Sequence, residues 1–370
     1  MRQIRTFVLF SCVALVLVAS SLLTPGLADG GSNHKVRNLH LGVSGGNTND
    51  SSRLYCCSGT LGALVTDGTA TYILSNNHVL ARGDQATAGD DISQPGLIDS
   101  NCNVATVVAD FTIASPLGSN VDAALAQLRT GAMDPTGFIE DIGVPSGTVV
   151  APAVGLGVAK SGRTTGFTTG TIGSINTSVN VQYQKNCGPG KKFVVSYANQ
   201  VVINSSSFSA GGDSGSLIVS NNASHNPVAL LFAGSSSSTI GNPIGEVLSK
   251  LSTVSGRSIT FIGGVSSALG GQALLSQGEQ QPFIPGLAGQ GRSLPQQAID
   301  RASAVLEQNR ARFMAQPGVL GVGVGASDKD DGEAAIVIYV DRTSGAKPQF
   351  SDTLDGLTVK VVHTDPFIAY

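Results

Sequence analysis

The chain has 370 residues, a formal net charge of −3 and only 13% charged residues, whereas glycine occupies 47 positions. Acidic and basic residues are interspersed, and the sequence has no basic stripe that could follow a phosphate backbone, so we do not expect nucleic acid as a partner. Many glycines and few charges are typical of short strands joined by tight turns. The composition therefore predicts an all-β body, with enough length for an additional domain.

The first 28 residues have the layout of a secretory signal peptide. Arg2 and Arg5 precede an uncharged run over residues 7–23, and the small residues Gly26 and Ala28 follow it. An uncleaved anchor is the alternative, because the apolar run approaches the length of a membrane span. We expect cleavage after Ala28. The mature protein would then be secreted or periplasmic, without membrane association.

The cysteines fit an exported protein. Signal cleavage would remove Cys12 and leave Cys56, Cys57, Cys102 and Cys187. An even number of cysteines in an exported chain predicts two disulfides, although four cysteines permit three pairings. A bond between the adjacent Cys56 and Cys57 would be strained, so we expect Cys102 and Cys187 each to pair with one of them. Free or metal-binding thiols are the alternative, which export disfavours.

The rest of the chain divides by composition. Residues 29–35 are expected to form a flexible leader. Over residues 36–265 strand patterns recur every 8 to 12 residues with Gly, Asn, Asp and Ser between them, which indicates a barrel or sandwich, and residues 245–252 form one short helical pattern. Residues 266–293 have the composition of a linker. Residues 294–370 combine one helical pattern with strand patterns and predict a small α+β accessory domain.

The segment SAGGDSGSLIV, residues 209–219, surrounds Ser214 with glycines and an acid just before an apolar run. A loose turn is one interpretation. The other is that Ser214 is a nucleophile, and the glycines leave the N–H groups of Gly212 and Ser214 open to an incoming oxygen. A serine is inert near neutral pH without a base and a group that orients the base, so the second interpretation requires both elsewhere in the chain.

A base and an orienting acid can be found. His78 follows a predicted strand and opens a loop, where a rigid scaffold would hold an imidazole. Asp122 interrupts the apolar run NVDAALAQL, in which a carboxylate is costly unless a donor faces it. Asp110 also lies in an apolar stretch and is the competitor of Asp122. His, Asp and Ser in this chain order form one of the known catalytic triads.

Four segments together resemble the chymotrypsin-like and trypsin-like serine proteases over residues 36–265. They are SNNHV, NVDAALA and GGDSGS, which contain His78, Asp122 and Ser214, and the stretch PVALLFAGS followed by NPIGEVLSKL. KSGRTTG, which begins at Lys160, is similar to a stretch of α-lytic protease, and this favours the bacterial branch of the family.

The resemblance implies two six-stranded antiparallel β-barrels, over residues 36–135 and 150–265. His78 and Asp122 would lie on the first barrel and Ser214 on the second, with substrate in the cleft between them. No spacing of histidines and cysteines predicts zinc, and we expect neither a metal nor another cofactor.

The resemblance also implies roles for residues near the nucleophile. The family position that lines the floor of the substrate pocket matches Phe208. Without a carboxylate there we expect no selection of Lys or Arg, but of small or medium apolar side chains. Asp213 must be held by a cation, and the basic residue of the α-lytic-like stretch matches Lys160, with Arg163 as the second candidate.

The function expected from these residues is that of an exported serine endopeptidase acting on a peptide or protein substrate through an acyl-enzyme. A serine esterase would use the same residues. A non-enzymatic alternative is a binding or regulatory module on the same fold, with the triad retained but the cleft closed.

Overall fold

The computed structural model describes residues 33–262, 294–329 and 332–370 of the chain. The predicted signal peptide and the whole of the predicted linker, residues 266–293, lie outside these residues. In the part of the chain that is described, no helix is both long and apolar enough to span a membrane.

The first sheet is formed by short strands, as the alternation of apolar and turn residues predicts. They are β1 (Val43–Asn47), β2 (Gly59–Leu61), β3 (Ala63–Thr66), β4 (Thr71–Ser75), β5 (Asp91–Gln94), β6 (Thr106–Ala114) and β7 (Ala124–Leu128). Helix α1 (Asn77–Leu80) follows β4 directly. The strands pair in the order β3-β4-β7-β6-β5-β1-β2. Since only Gly62 separates β2 from β3, the two ends of this order meet in one bent strand, and the sheet curls into a barrel.

The second sheet contains β8 (Gly157–Gly162), β9 (Gly166–Gln184), β10 (Lys192–Asn204), β11 (Leu217–Ser220), β12 (Pro227–Gly234) and β13 (Ser238–Pro243). These six strands pair in the order β10-β13-β12-β11-β8-β9, and an additional pairing of β9 with β10 closes the ring. Helix α2 (Ile244–Ser255) follows, and β14 (Thr260–Phe261) then returns to the first sheet beside β3. The predicted all-β fold with two barrels is confirmed.

The C-terminal segment adds α3 (Gln296–Met314), β15 (Val319–Ala326), β16 (Ala334–Asp341), β17 (Thr353–Leu354), β18 (Leu357–Thr364) and β19 (Phe367–Ala369). Helix and strands occur in the predicted order. β15 pairs antiparallel with β9, so this segment continues the sheet of the second barrel. The apolar face of α3, with Ala302 and Leu306 fully buried, covers β15 and β16.

The start of the described chain differs from the expectation. Of the flexible leader predicted for residues 29–35, only residues 33–35 are described, and Asn33–Lys35 forms a 3-10 helix. His34 is only 2% exposed, and its two ring nitrogens contact the carbonyl oxygen of Gly42 (2.9 Å) and the carboxylate of Asp141 (3.0 Å). These two polar contacts attach the segment to the barrel.

Candidate active site

His78 lies in α1, immediately after the last residues of β4. Its Nδ1 is 2.7 Å from Oδ2 of Asp122, and its backbone N–H donates to Oδ1 of the same carboxylate (3.2 Å). Both the ring and the main chain of His78 are therefore oriented by Asp122. Asp122 itself is fully buried just ahead of β7.

Two tyrosines of the second barrel extend this arrangement. The hydroxyl of Tyr183, on β9, donates to Oδ2 of Asp122 (2.7 Å), and it is 2.6 Å from the hydroxyl of Tyr197 on β10. Burial, followed by the charge of Asp122, raises the pKa of Tyr183 well above its usual value, so this hydroxyl stays a donor. Neither tyrosine was identified from the sequence. The only sequence feature that could have indicated them is an aromatic residue with a polar hydroxyl within a strand pattern. The competitor Asp110 instead forms an ion pair with Arg129 (2.6 Å) at the surface.

Ser214 lies in the turn before β11 and is fully buried. Its Oγ donates to the carbonyl oxygen of Phe232 on β12 (3.1 Å). Nε2 of His78, the nitrogen that would act on Ser214, is 2.9 Å from the main-chain oxygen of Tyr370. The structure thus brings His78 and Asp122 into direct contact and occupies the remaining imidazole nitrogen with the C-terminal segment.

The pKa of His78 is raised above its usual value. Burial of the ring lowers it, but the charge of Asp122, the hydrogen bond to that carboxylate and the Tyr370 oxygen together raise it more. A ring with an oxygen acceptor at each nitrogen favours two N–H donors, which is the imidazolium form.

The main chain at Gly212 has a conformation that requires glycine. Its φ is +98°, and a Cβ there would lie 2.5 Å from Oγ1 of Thr164. The carbonyl of Gly211 accepts a hydrogen bond from that same hydroxyl (2.7 Å). In a trans peptide the carbonyl and the next N–H point in opposite directions, so the N–H of Gly212 points away from Thr164.

Asp213 is fully buried and surrounded by donors. The backbone N–H groups of Thr164 and Ala210 donate to its two oxygens (2.8 and 2.9 Å), and Oγ1 of Thr165 donates to Oδ2 (2.7 Å). The ammonium of Lys160, also fully buried, lies 3.4 Å from Oδ2. Burial lowers the pKa of Lys160, and the charge of Asp213 opposes this shift. Arg163, the second candidate, is paired with another carboxylate, that of Asp99 (2.6 Å).

Two disulfides are present in the described part of the chain, and neither joins the adjacent cysteines. Cys56 is bonded to Cys102, and Cys57 to Cys187. Asp50 approaches the second bridge closely enough to make up a trio of potential metal ligands, but both sulfurs of that trio are used in the disulfide.

A cavity of about 260 Å³ lies beside His78 and Gly212, with Tyr183 and Cys187 in its wall. Ala369 and Tyr370 also line it. Phe208 is not among its lining residues: the side chain is fully buried in the hydrophobic cluster of the second barrel, against which Tyr370 packs.

Residues 75–257 match the model of peptidase family S64, a segment that includes His78, Asp122 and Ser214. No protein of curated function matches the sequence. Solved structures similar to this chain include a glutamic acid specific serine protease that utilizes a novel histidine triad in substrate binding, at 24% identity over 60% of this chain and 98% of that chain, with a TM-score of 0.41.

Two further solved structures are Thermobifida fusca Protease A and the alpha-lytic protease homolog N4. The first is 20% identical over 52% of this chain and 88% of that chain, with a TM-score of 0.34. The second is 16% identical over 61% of this chain and 98% of that chain, with a TM-score of 0.38. At these scores the neighbours add no argument about the site. The match to a peptidase family supports a protease function, and the resemblance of this chain to the chymotrypsin-like serine proteases is confirmed.

Proposed function

We propose that the protein is an exported serine endopeptidase in which Ser214 is the nucleophile, His78 the general base and Asp122 the group that orients His78. The observation that carries this proposal is the buried contact of 2.7 Å between Nδ1 of His78 and Asp122. It holds the imidazole with Nε2 directed to the cleft, and the peptidase family match covers all three residues.

The proposed reaction begins once the Tyr370 oxygen has left Nε2 of His78 and this nitrogen has lost its proton. Oγ of Ser214 then leaves the carbonyl of Phe232 and donates to Nε2. Oγ attacks the carbonyl carbon of the peptide bond while Nε2 takes its proton, and the same proton passes to the leaving amine as the acyl-enzyme forms. Water then attacks the acyl carbon while Nε2 of His78 takes its proton, and this proton returns to Oγ of Ser214 as the bond between Oγ and the acyl group breaks and the acid product leaves. Asp122 stays ionised and stabilises the imidazolium of His78 during both acylation and deacylation.

The N–H groups of Gly212 and Ser214 would bind the oxyanion of the tetrahedral intermediate. Removing one such donor costs roughly 3 kcal/mol of transition-state stabilisation in related chemistry. The positive φ of Gly212 and the donors around Asp213 support this role, because they determine which way the peptide groups of the turn face.

Export is part of the proposal. The signal peptide predicted at residues 1–28 would precede a body with two disulfides, and disulfides persist in oxidising compartments outside the cytoplasm. A second candidate function is a binding module with a closed cleft, which the contact between Tyr370 and His78 favours.

A fluorophosphonate probe separates the two candidates. The endopeptidase is expected to become labelled at one serine, and Ser214→Ala should abolish the label. Ser206→Ala, at an exposed serine outside the site, should leave it intact. Absence of labelling in folded protein from which the C-terminal strand has been displaced would favour the binding module.

A further inference from the structure

The C-terminal strand β19 occupies the cleft as an added strand of the second barrel. Ala369 pairs with Ala233 and Ile368 with Gly234 in an antiparallel ladder on β12. On its other side β19 runs parallel to β9. This is peptide recognition by strand addition, in which main-chain hydrogen bonds bind the backbone and pockets select side chains.

Tyr370 continues this strand to the reacting groups. Its N–H donates to the carbonyl of Phe232 (3.4 Å), the same oxygen that accepts from Oγ of Ser214. Its main-chain oxygen lies 2.9 Å from Nε2 of His78. The carbonyl group of Tyr370 therefore lies beside the base, where the acid product of hydrolysis would lie.

The side chain of Tyr370 fills a site that is built for a ring with a polar tip. Its hydroxyl donates to the carbonyl of Ser235 (3.0 Å), and its ring packs against the hydrophobic cluster of the second barrel. A Cβ on Gly234 would lie only 2.2 Å from that hydroxyl oxygen. The absence of a side chain at position 234 is thus what admits the ring.

The strand is anchored by the residues before it. Phe367 is 1% exposed and packs edge-on against Tyr339, with ring centroids 5.8 Å apart. Upstream, the hydroxyl of Thr364 is 2.6 Å from that of Ser235, and Asp365 pairs with Arg342 at 2.6 Å. These contacts bring the tail to the cleft as part of the fold.

We propose that the cleft binds an extended peptide whose residue at the acyl side of the cleaved bond is tyrosine, and that residues 367–370 compete with substrate for this site within the same chain. The proposal rests on the proposed function for its catalytic meaning. It replaces the expectation of small or medium apolar side chains, because the space left by the missing side chain of Gly234 admits the ring of Tyr370.

The test measures peptide affinity and does not require catalysis. In Ser214→Ala protein, Tyr370→Gly empties the side-chain pocket, and calorimetry with the peptide acetyl-Phe-Ile-Ala-Tyr should then show binding at least 10-fold tighter than with Tyr370 present. Acetyl-Phe-Ile-Ala-Lys should bind the emptied site at least 10-fold more weakly. Tyr370→Phe keeps the ring and should resemble the parent. Equal affinity for the two peptides, or no gain on emptying the site, would overturn the proposal.

Gly234→Val provides a second variant that leaves Tyr370 in place. Amide hydrogen exchange of residues 367–370 should become at least 10-fold faster, because the valine takes the space of the ring; unchanged exchange would contradict the proposal. Hydrolysis of Phe-Ile-Ala-Xaa fluorogenic amides by the active chain with Tyr370→Gly separates the two claims. Tyrosine-selective binding without any hydrolysis would contradict the proposed endopeptidase function but support the tyrosine-binding site. Hydrolysis with a preference for another residue would support the endopeptidase function but contradict the tyrosine-binding site.

Discussion

The hydroxyl of Tyr183 donates a hydrogen bond of 2.7 Å to the buried carboxylate of Asp122, and this contact joins the two barrels at the proposed catalytic acid. Tyr183 belongs to β9 of the second barrel, whereas Asp122 precedes β7 of the first. The carboxylate that orients His78 is therefore itself held from across the cleft. Burying a charge without hydrogen-bond donors costs free energy. The hydrogen bond from Tyr183 to Asp122 therefore contributes to stability as well as to the orientation of His78.

Tyr183→Phe should lower the free energy of unfolding by about 1.5–3 kcal/mol, the range for a hydrogen bond to a charged group. Tyr197→Phe is the matched control, since its hydroxyl contacts Tyr183 and not Asp122, and it should cost about 1 kcal/mol. Urea denaturation of both variants gives the comparison. A larger loss for Tyr197→Phe than for Tyr183→Phe would show that the carboxylate does not depend on this donor.

The acid limb of the pH–rate profile should lie above the ordinary histidine pKa of about 6.5. Burial of His78 lowers its pKa, but the charge of Asp122, the hydrogen bond to that carboxylate and the contact with the Tyr370 oxygen together raise it more, and the net shift is upward. Catalysis needs the unprotonated Nε2, so activity is lost as the pH falls through this raised pKa. The measurement is kcat/KM against pH for a peptide amide.

Asp122→Asn should move that acid limb to lower pH and reduce kcat by roughly 10⁴-fold, because the imidazole loses both its counter-charge and its orientation. An unchanged acid limb in this variant would mean that another group titrates in the profile.

Lys160→Met should destabilise the protein by about 3–5 kcal/mol, because it leaves Asp213 buried without its cation. Lys160→Met combined with Asp213→Asn should recover part of the loss, since no charge then remains in the site. Arg163→Met, which removes a different ion pair, should not be rescued by Asp213→Asn. Chemical denaturation of the wild type, the three single variants and the two double variants gives the comparison. Full activity and stability in Lys160→Met would overturn the assignment of this pair.

Asp50→Asn should stabilise the protein at alkaline pH. Burial raises the pKa of Asp50 to about 6, opposed by the charges of Arg82 and His78. The folded state therefore binds the proton more tightly than the unfolded state, and the wild type loses stability as the pH rises through about 6. A shift of about two units corresponds to at most about 3 kcal/mol.

The increase in the free energy of unfolding caused by Asp50→Asn should be largest at pH 8, decrease as the pH falls through 6 and vanish below pH 4. Thermal denaturation across this range measures it. Glu307→Gln, on the exposed face of α3, serves as the control and should change the stability by less than about 0.5 kcal/mol at every pH. A gain that does not depend on pH would contradict the assignment.

The two disulfides should contribute unequally to stability. The residues of the Cys56–Cys102 bond are 46 apart in sequence, and those of the Cys57–Cys187 bond 130 apart. Chain-entropy estimates give about 4 kcal/mol for the first loop and about 5 kcal/mol for the second. Double serine variants of each pair, compared by guanidinium denaturation, should show the larger loss for Cys57 and Cys187. Free thiols at these positions in unreduced protein would exclude both bonds.

The sequence by itself determined the local elements and the segments that carry the proposed chemistry. Alternating apolar residues and turn residues predicted the strands of both barrels, the helical period predicted α2 and α3, and the signatures around His78, Asp122 and Ser214 predicted the family resemblance. Each of these signals is contained within about ten consecutive residues. The strained geometry of an adjacent pair was also enough to exclude a Cys56–Cys57 bond.

Only the tertiary structure decided which surfaces meet. Tyr183 is 61 residues from Asp122, and Tyr370 is 292 residues from His78, so no local pattern could connect either pair. Residues 294–370 were correctly predicted to contain a helix and strands, but strand periodicity does not specify which sheet edge a strand joins. Pairing of β15 with β9 makes the segment part of the second barrel, and that placement brings Tyr370 to the cleft. The hydrogen bonds and buried side chains that determine these contacts exist only once distant parts of the chain are packed together.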